Sequence, residues 1–189
     1  MDLRETLNEK QPVVAAVAGG VLLLLLGLGL LRCGGGGGGA AGAERYMFDL
    51  NANKLVAMPA STVAPAPGPD GGTVAYDEGP GGALVDAMVV ACDGCDDVAP
   101  GQDAAAVAAA GGQIVYLSRY ATNEREAVMR MNAGETLDDA EMTRAFAAMP
   151  LIAPPDARAW LPEAAPAAME QMGRVAAVCP GGTFEVCRP

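Results

Sequence analysis

Histidine is absent from this sequence of 189 residues, and aromatic residues are scarce. Without histidine the chain has no Ser-His-Asp triad, no HExxH zinc site and no His-rich metal cage. Phenylalanine, tyrosine and tryptophan together make up only 4% of the residues, so the 51% that are hydrophobic are mostly small or aliphatic. With 25 glycines and 14 prolines as well, the sequence predicts a thin apolar core.

Positive charge is also in short supply. The chain has 12 Lys and Arg residues against 23 Asp and Glu residues, a formal net charge of −11. This charge repels a phosphate backbone and argues against nucleic acid as a partner. After residue 33 lysine occurs once, at Lys54, and serine twice, at Ser61 and Ser118. Because these groups have no evident base partner, the sequence predicts no catalytic set, no cofactor and no metal.

One long apolar run stands out near the start. Residues 13–31 contain no charge, and 19 residues of helix span roughly 28 Å, about the thickness of a bilayer's hydrocarbon core. A cleaved signal peptide has a shorter apolar region and a small-x-small site, whereas this run is followed by Arg32 and Cys33. Arg32 also argues against lipidation of Cys33. The run therefore predicts an uncleaved single-pass transmembrane helix and the lipid bilayer as a partner.

The flanks of this run favour one orientation. Arg4 and Lys10 precede it, and Arg32 and Arg45 follow it. We expect residues 1–12 to form a cytoplasmic tail and the rest to lie outside the cytoplasm. Residues 34–189 hold 9 basic and 20 acidic side chains and so carry the whole net charge of −11. The Gly-rich stretch 32–43 predicts a flexible linker, because glycine imposes little backbone preference.

Small residues in the apolar run offer a surface for helix pairing. Ala15, Ala16, Gly19 and Gly20 form two overlapping small-xxx-small pairs. Such pairs let two membrane helices approach closely, so the sequence predicts a homodimer through this segment.

Residues 44–189 are predicted to form a small α+β domain with an antiparallel sheet and one or two short helices. Alternating and β-branched residues predict a hairpin from 45–50 and 54–58, central strands at 84–92 and 113–120, and a final strand pair at 174–179 and 183–186. Residues rich in Pro, Gly and Ala predict loops at 59–73, 98–112 and 150–168, the last with Trp160 as a large anchor.

Two helices are predicted from capping patterns. Asn123 with Glu126, and Thr136 with Asp139, have the spacing of a capping box. The second helix, about 137–149, carries Asp138 and Glu141 on its solvated surface. Its Met142, Phe146 and Met149 fall on one stripe, which we expect to dock on the sheet.

Cysteine is the most informative residue type. Of the five cysteines, four lie in the predicted exterior domain: Cys92, Cys95, Cys179 and Cys187. In an oxidising compartment they predict two disulfides, and the sequence alone allows three ways of pairing them. Each disulfide would contribute about 2 to 4 kcal/mol to a domain with a thin core.

The same cysteines allow two functional interpretations. Cys92-Asp93-Gly94-Cys95 has the spacing of a redox CxxC, although Asp96 and Asp97 oppose the thiolate that such a site needs. A zinc site from all four cysteines would need two close pairs, but Cys179 and Cys187 are too far apart in sequence for a zinc knuckle.

Acidic and amide residues suggest a weak cation site at two places. Asp49, Asn51 and Asn53 resemble the start of a calcium loop, but Lys54 and Ala60 stand where that loop needs Gly and Glu. A hairpin turn explains the same residues more simply. For a second acidic group a solvated loop is the simpler interpretation; its members are Asp93, Asp96, Asp97 and Asp103.

Short stretches along the chain resemble a known pattern. These stretches are LRETLNEKQPVVA, RYMFDLNANKLV, MVVACDG, IVYLSRY and VAAVCPGGT, with a tryptophan before the last. They resemble an uncharacterised family of short bacterial single-pass membrane proteins, with an N-terminal anchor, a Cys-Asp-Gly, a Leu-x-Arg-Tyr and a late Cys-Pro-Asp-Gly. The resemblance covers about a third of the chain. This sequence departs from the pattern at Asn51-Ala-Asn53, where the family has Asp-Asp-Gly, and at Gly181-Gly182, where it has Asp-Gly.

The resemblance implies a pairing and a location. Cys92 and Cys179 fall on the family's two cysteines and would be partners, which leaves Cys95 and Cys187 as a second pair. We therefore expect a protein of the bacterial cytoplasmic membrane with its N-terminus inside and its domain outside. Its expected role is a non-catalytic interaction or structural one with an envelope protein. The alternative is a thiol-disulfide redox protein that uses Cys92 and Cys95.

The homodimer prediction is tested at the two glycines of the apolar run. Replacing Gly19 and Gly20 by Leu puts bulky side chains at the closest approach of the two helices and should abolish association. Sedimentation of the full chain in detergent measures the change. Oligomer size unaffected by G19L/G20L would exclude this dimer.

Overall fold

The computed structural model describes residues 43–181 and 183–189. The predicted tail (1–12), membrane helix (13–31) and nearly all of the linker (32–43) lie outside the described residues. Within them the chain forms an antiparallel sheet with a few short helices, which confirms the α+β prediction. None of the helices in this part is long and apolar enough to span a bilayer.

The first element is the predicted hairpin. Strand β1 (Glu44–Asp49) pairs antiparallel with β2 (Lys54–Pro59). The Asp49 carboxylate accepts hydrogen bonds from the backbone amides of Asn51 (2.8 Å) and Ala52 (3.0 Å). Asn53 closes the turn at φ 56°, a left-handed conformation that asparagine tolerates. The carboxylate that a calcium loop would need is thus occupied by the turn itself.

The centre of the sheet is β5 (Leu84–Ala91), which pairs antiparallel with β6 (Gly112–Arg119), as the sequence predicts. On the other edge of β5, β1 pairs with its first residues and the short β9 (Glu185–Val186) with its last. Beyond β6 the sheet continues with β7 (Leu151–Ala153) and β8 (Leu161–Pro162), which corrects the prediction of a loop at 150–168. The strand order is β2-β1-β5-β6-β7-β8.

A separate hairpin of two strands, β3 (Thr73–Tyr76) and β4 (Gly79–Gly82), precedes β5. The preceding loop makes a single bridge, from Ala66 to Leu84, in agreement with the loop predicted at 59–73.

Four α-helices accompany the strands in the described part. They are α1 (Ala104–Ala109), α2 (Thr122–Asn132), α3 (Asp139–Ala147) and α4 (Pro166–Gly173), and a 3-10 turn, Arg174–Ala177, follows the last. Helix α1 corrects the prediction of a loop at 98–112. Alanine has the highest helix propensity, and the Asp103 side chain caps the helix by accepting from the amide of Ala106 at 2.8 Å.

Three local predictions are wrong. The predicted final strand pair does not form, because residues 174–177 make a 3-10 turn and β9 pairs with β5 instead. Helix α2 begins after Ala121 without a side-chain cap, so Asn123 and Glu126 form no capping box. The capping box of α3 is Asp138 with Glu141, two residues after the predicted pair, and aspartate is a better N-cap than threonine.

The two faces of the sheet bury different residues. Tyr46 and Phe48 of β1 point into the main core, which also holds Val107 of α1, and Met47 between them points into a smaller cluster on the opposite face. Side chains alternate along a strand, so both faces of this sheet are partly covered.

Helices α2 and α3 form a hairpin with a small core of their own: Ala127, Leu137 and Ala145. The predicted docking of Met142, Phe146 and Met149 on the sheet is therefore wrong. Ala145 faces α2, and these three larger residues remain exposed. A helix with two apolar sides can bury only one of them against a single neighbour.

Gly82 in β4 gives a test of how closely the small hairpin approaches the loop before it. A Cβ at this position would overlap the carbonyl group of Ala66, so G82A should cost about 1 to 3 kcal/mol of unfolding free energy. Gly173 at the end of α4 has open space around it and makes a control, since G173A should keep stability or raise it by up to about 1 kcal/mol. Denaturant unfolding followed by circular dichroism measures both; equal stability of G82A and the parent would contradict the close approach.

Candidate functional site

The four cysteines of the domain meet where β5 ends. Cys92 bonds Cys179 and Cys95 bonds Cys187, with Cα–Cα distances of 5.4 and 5.3 Å. The disulfide prediction is thereby confirmed, and the pairing is the one that the family resemblance implied. Cys187 also continues the sheet, because its backbone amide donates to the Val89 carbonyl at 2.9 Å.

The two bonds are interlocked in the chain. Each closes a loop of 87 or 92 residues. In the chain-entropy account the first closure is worth about 4 to 5 kcal/mol. Once the Cys92–Cys179 bond is made, Cys95 and Cys187 each lie close in sequence to one of its cysteines. The second bond therefore closes a much shorter effective loop and adds about 3 kcal/mol. Together they fix Cys179 and Cys187 to the end of β5.

This pairing bears on both functional interpretations of the cysteines. A redox CxxC cycles through a bond between its own two sulfurs, whereas here Cys92 and Cys95 are each bonded to a distant cysteine. With all four sulfurs in disulfides, none is available as a thiolate ligand for zinc. Among the described residues no group of three or more Cys, Asp or Glu side chains could hold a metal ion.

An open depression of about 570 Å³ lies beside the second disulfide. It is lined by Cys95, Asp96, Val98, Glu185, Val186, Arg188 and Pro189. Carboxylates and one guanidinium share its wall, so the depression has no strong preference for a ligand of either charge.

A buried arginine on β6 is the most enclosed charge in the described residues. Arg119 is 2% exposed, and its guanidinium lies 3.7 Å from the ring centre of Tyr76 and 4.7 Å from that of Trp160. Its two terminal nitrogens pair with the Glu78 carboxylate, and this hydrogen bonding lowers the pKa of Glu78. Burial raises the pKa of Tyr76 to about 12 although Arg119 opposes the shift. The faces of Tyr76 and Trp160 are thus already occupied by a cation of the protein itself, the guanidinium of Arg119.

The sequence points to part of this cluster only. Arg119 belongs to the Leu-x-Arg-Tyr stretch, and Trp160 is the predicted anchor of its loop. Glu78 and Tyr76 carry no local signal, because they join Arg119 through the β3–β4 hairpin across about 40 residues of chain.

On the opposite face of the sheet, the carboxylate of Asp86 forms an ion pair with Arg45 but no hydrogen bond to it. Asp86 is 25% exposed, and its Oδ1 lies 2.9 Å from Nη2 of Arg45 but makes no hydrogen bond. That nitrogen donates instead to the Thr62 carbonyl. Burial raises the pKa of Asp86 to about 6, and Arg45 offsets only part of this shift. Tyr116 lies nearby with its pKa raised by burial and by the charges of Glu163 and Asp86.

A groove of about 430 Å³ runs between the loop before β3 and helix α2. It is lined by Pro65, Pro67, Gly82, Thr122, Arg125, Glu126 and Met129. Burial lowers the pKa of Arg125, whose Nε donates to the Val63 carbonyl at 3.0 Å. Arg125 is therefore used to hold the loop in place.

The remaining predicted sites are the small residues of the apolar run and the acidic group that includes Asp103. Ala15, Ala16, Gly19 and Gly20 lie outside the described residues, so the helix-pairing surface stays a prediction. Asp103 caps α1 and does not join the acidic residues that follow β5 in a cation site.

No protein-family model, curated protein or solved structure matches this chain. The family resemblance therefore stays a prediction, and the function has to be argued from the residues.

The buried carboxylate predicts a pH dependence of stability. The folded pKa of Asp86, about 6, lies above its ordinary value of 3.8, so the folded state holds the proton more tightly. Its contribution to stability is therefore complete below pH 3.8 and is lost as the pH rises through 6, by about 3 kcal/mol at most.

The variant D86N removes this titration. Relative to D86N, the parent should gain stability as the pH falls from 7 to 4, measured by denaturant unfolding at each pH. D70N removes an exposed carboxylate and controls for the loss of one negative charge. A constant difference between the parent and D86N over this range would contradict the raised pKa.

Proposed function

We propose that this chain is a membrane-anchored protein of the bacterial cell envelope whose domain acts outside the cytoplasm in a non-catalytic interaction or structural role. The observation that carries the proposal is the pair of interlocked disulfides. Disulfides persist in oxidising compartments and are rare in the cytosol, so four cysteines in two long-range bonds support an exterior location.

The anchor in this proposal is the uncharged run at residues 13–31, with the N-terminus inside the cytoplasm. Its partners are the lipid bilayer, a second copy through the small residues of that run, and an envelope protein. The excess of carboxylates in the exterior part favours partners that are not acidic.

The bonding of the cysteines supports a structural role over the thiol-disulfide alternative. A redox site needs one accessible, low-pKa thiolate and a labile bond. Cys179 and Cys187 are buried, and each bond holds the chain terminus on the central strand. Asp93 and Asp96 beside the CxxC would oppose a thiolate.

The experiment maps every cysteine in intact membranes. A membrane-impermeant maleimide is applied to the full chain in cells, with and without prior mild reductant, and the digested protein is analysed by mass spectrometry. We expect cross-linked peptides containing Cys92 with Cys179 and Cys95 with Cys187, both resistant to mild reductant. Cys33, which is separated from the apolar run by Arg32 alone, should be labelled from outside.

The variant C33S controls for labelling at other positions. Label on Cys33 only after the membrane is permeabilised would show an inverted topology. A peptide joining Cys92 to Cys95, or free thiols at these positions after mild reduction, would favour the redox alternative.

A further inference from the structure

Helix α3 presents an apolar stripe that nothing in the described part of the chain covers. Met142 and Phe146, one turn apart on α3, are 44% and 75% exposed, and Met149, 46% exposed, follows the helix, which ends at Ala147. We call these three residues the α3 stripe. The chain has only 3 phenylalanines, and Phe146 leaves three quarters of its side chain in contact with water.

The two helical residues of the stripe, Met142 and Phe146, are held in their exposed positions by the contacts between α3 and α2. The opposite side of α3 is fixed to α2 by the buried Ala145 and by Arg130, which pairs with both Glu135 and Glu141. The capping box of Asp138 fixes the first turn. The helix therefore cannot rotate the stripe inwards without breaking the α2–α3 core.

The size of the stripe argues against a second copy as its occupant. Three side chains of this size offer on the order of 400 Å² of surface. A stable protein interface buries about 800 Å² on each partner. A bilayer surface has no such minimum, because insertion of a few apolar side chains adds to an existing anchor.

The chain outside the structure places a bilayer within reach. The uncharged run ends at Leu31, and the twelve residues from Arg32 to Ala43 span at most about 40 Å when fully extended. A domain of this size has a radius of roughly 20 Å. The bilayer therefore lies within reach of the domain surface, and an exposed apolar stripe on that surface makes a favourable contact with it.

We propose that the α3 stripe inserts into the interface of the bilayer that holds the chain's apolar run, with Phe146 as its deepest residue. This inference rests on the proposed membrane anchoring. Asp138, Asp139 and Glu141 at the start of α3 would repel anionic headgroups, so a zwitterionic surface is the favoured lipid.

Depth-dependent quenching tests the contact with the full chain. The F146W variant is reconstituted in phosphatidylcholine vesicles with and without brominated acyl chains, which quench tryptophan on contact. Its added fluorescence should fall by roughly half with the brominated lipid. F184W is the matched control, because Phe184 is also exposed (39%) but lies beside β9, outside the stripe. Native Trp160 contributes the same background to all samples.

Flotation after alkaline carbonate separates the two proposals. Loss of the chain from the vesicles would overturn the membrane anchoring and the inference with it. Retention of the chain with unquenched F146W fluorescence would overturn the stripe's insertion alone. Fluorescence of F146W that is unquenched but shifts to the blue as the protein-to-lipid ratio rises would assign the stripe to a second copy and so overturn insertion.

Discussion

Two disulfides between the end of the central strand and the end of the chain hold this domain together. Strand β5 pairs with β6 on one edge and shares its other edge between β1 and β9. A strand of two residues cannot hold its place by backbone hydrogen bonds alone. The bonds of Cys95 and Cys92 supply what the pairing lacks, because they keep β9 next to β5 even when the hydrogen bonds open. In a domain poor in aromatic residues these cross-links replace part of the missing core.

The buried Arg119 makes a second set of long-range contacts, at the opposite end of the sheet from the disulfides, and it also holds distant parts of the chain together. Its guanidinium joins the end of β6 to Glu78 in the small hairpin and to Trp160 in the late loop. A guanidinium taken out of water needs a partner for its charge, and here the Glu78 carboxylate and two aromatic faces supply it, while the buried Nε has no hydrogen-bond partner among the described residues. On the opposite face, Arg45 compensates the charge of Asp86 only in part. The pKa of Asp86 is therefore raised, and the stability of the domain depends on pH through this residue.

The proposed function depends on which polar and apolar groups of the domain are already used in internal contacts. Its cysteines are used in bonds, its buried arginine in a structural cluster and its Asp49 in a turn. The described surface carries an excess of carboxylates and several exposed apolar residues, among them those of the α3 stripe. The proposed contact with a bilayer rests on the proposed membrane anchoring. The stripe is also the place where expectation and structure differ most, since its residues were expected to contact the sheet.

The sequence by itself determined the elements whose signal is local. Alternating residues gave the first hairpin and the two central strands, and cysteine count gave two disulfides. It also predicts a membrane segment at the uncharged run, which lies outside the described residues and stays a prediction. The start of α3 was predicted two residues early, because Asp138 and Thr136 are both residue types that cap helices.

Only the tertiary structure decided which distant groups meet. Residues alone left three cysteine pairings open, and the fold selects the one whose sulfurs are brought together at the end of β5. The same holds for Glu78 with Arg119, which nothing in their neighbouring residues couples. The side on which α3 packs was predicted wrongly, since the small Ala145 and not the larger stripe faces the neighbouring helix. Long-range contacts depend on how whole elements are placed, and local propensities do not contain that information.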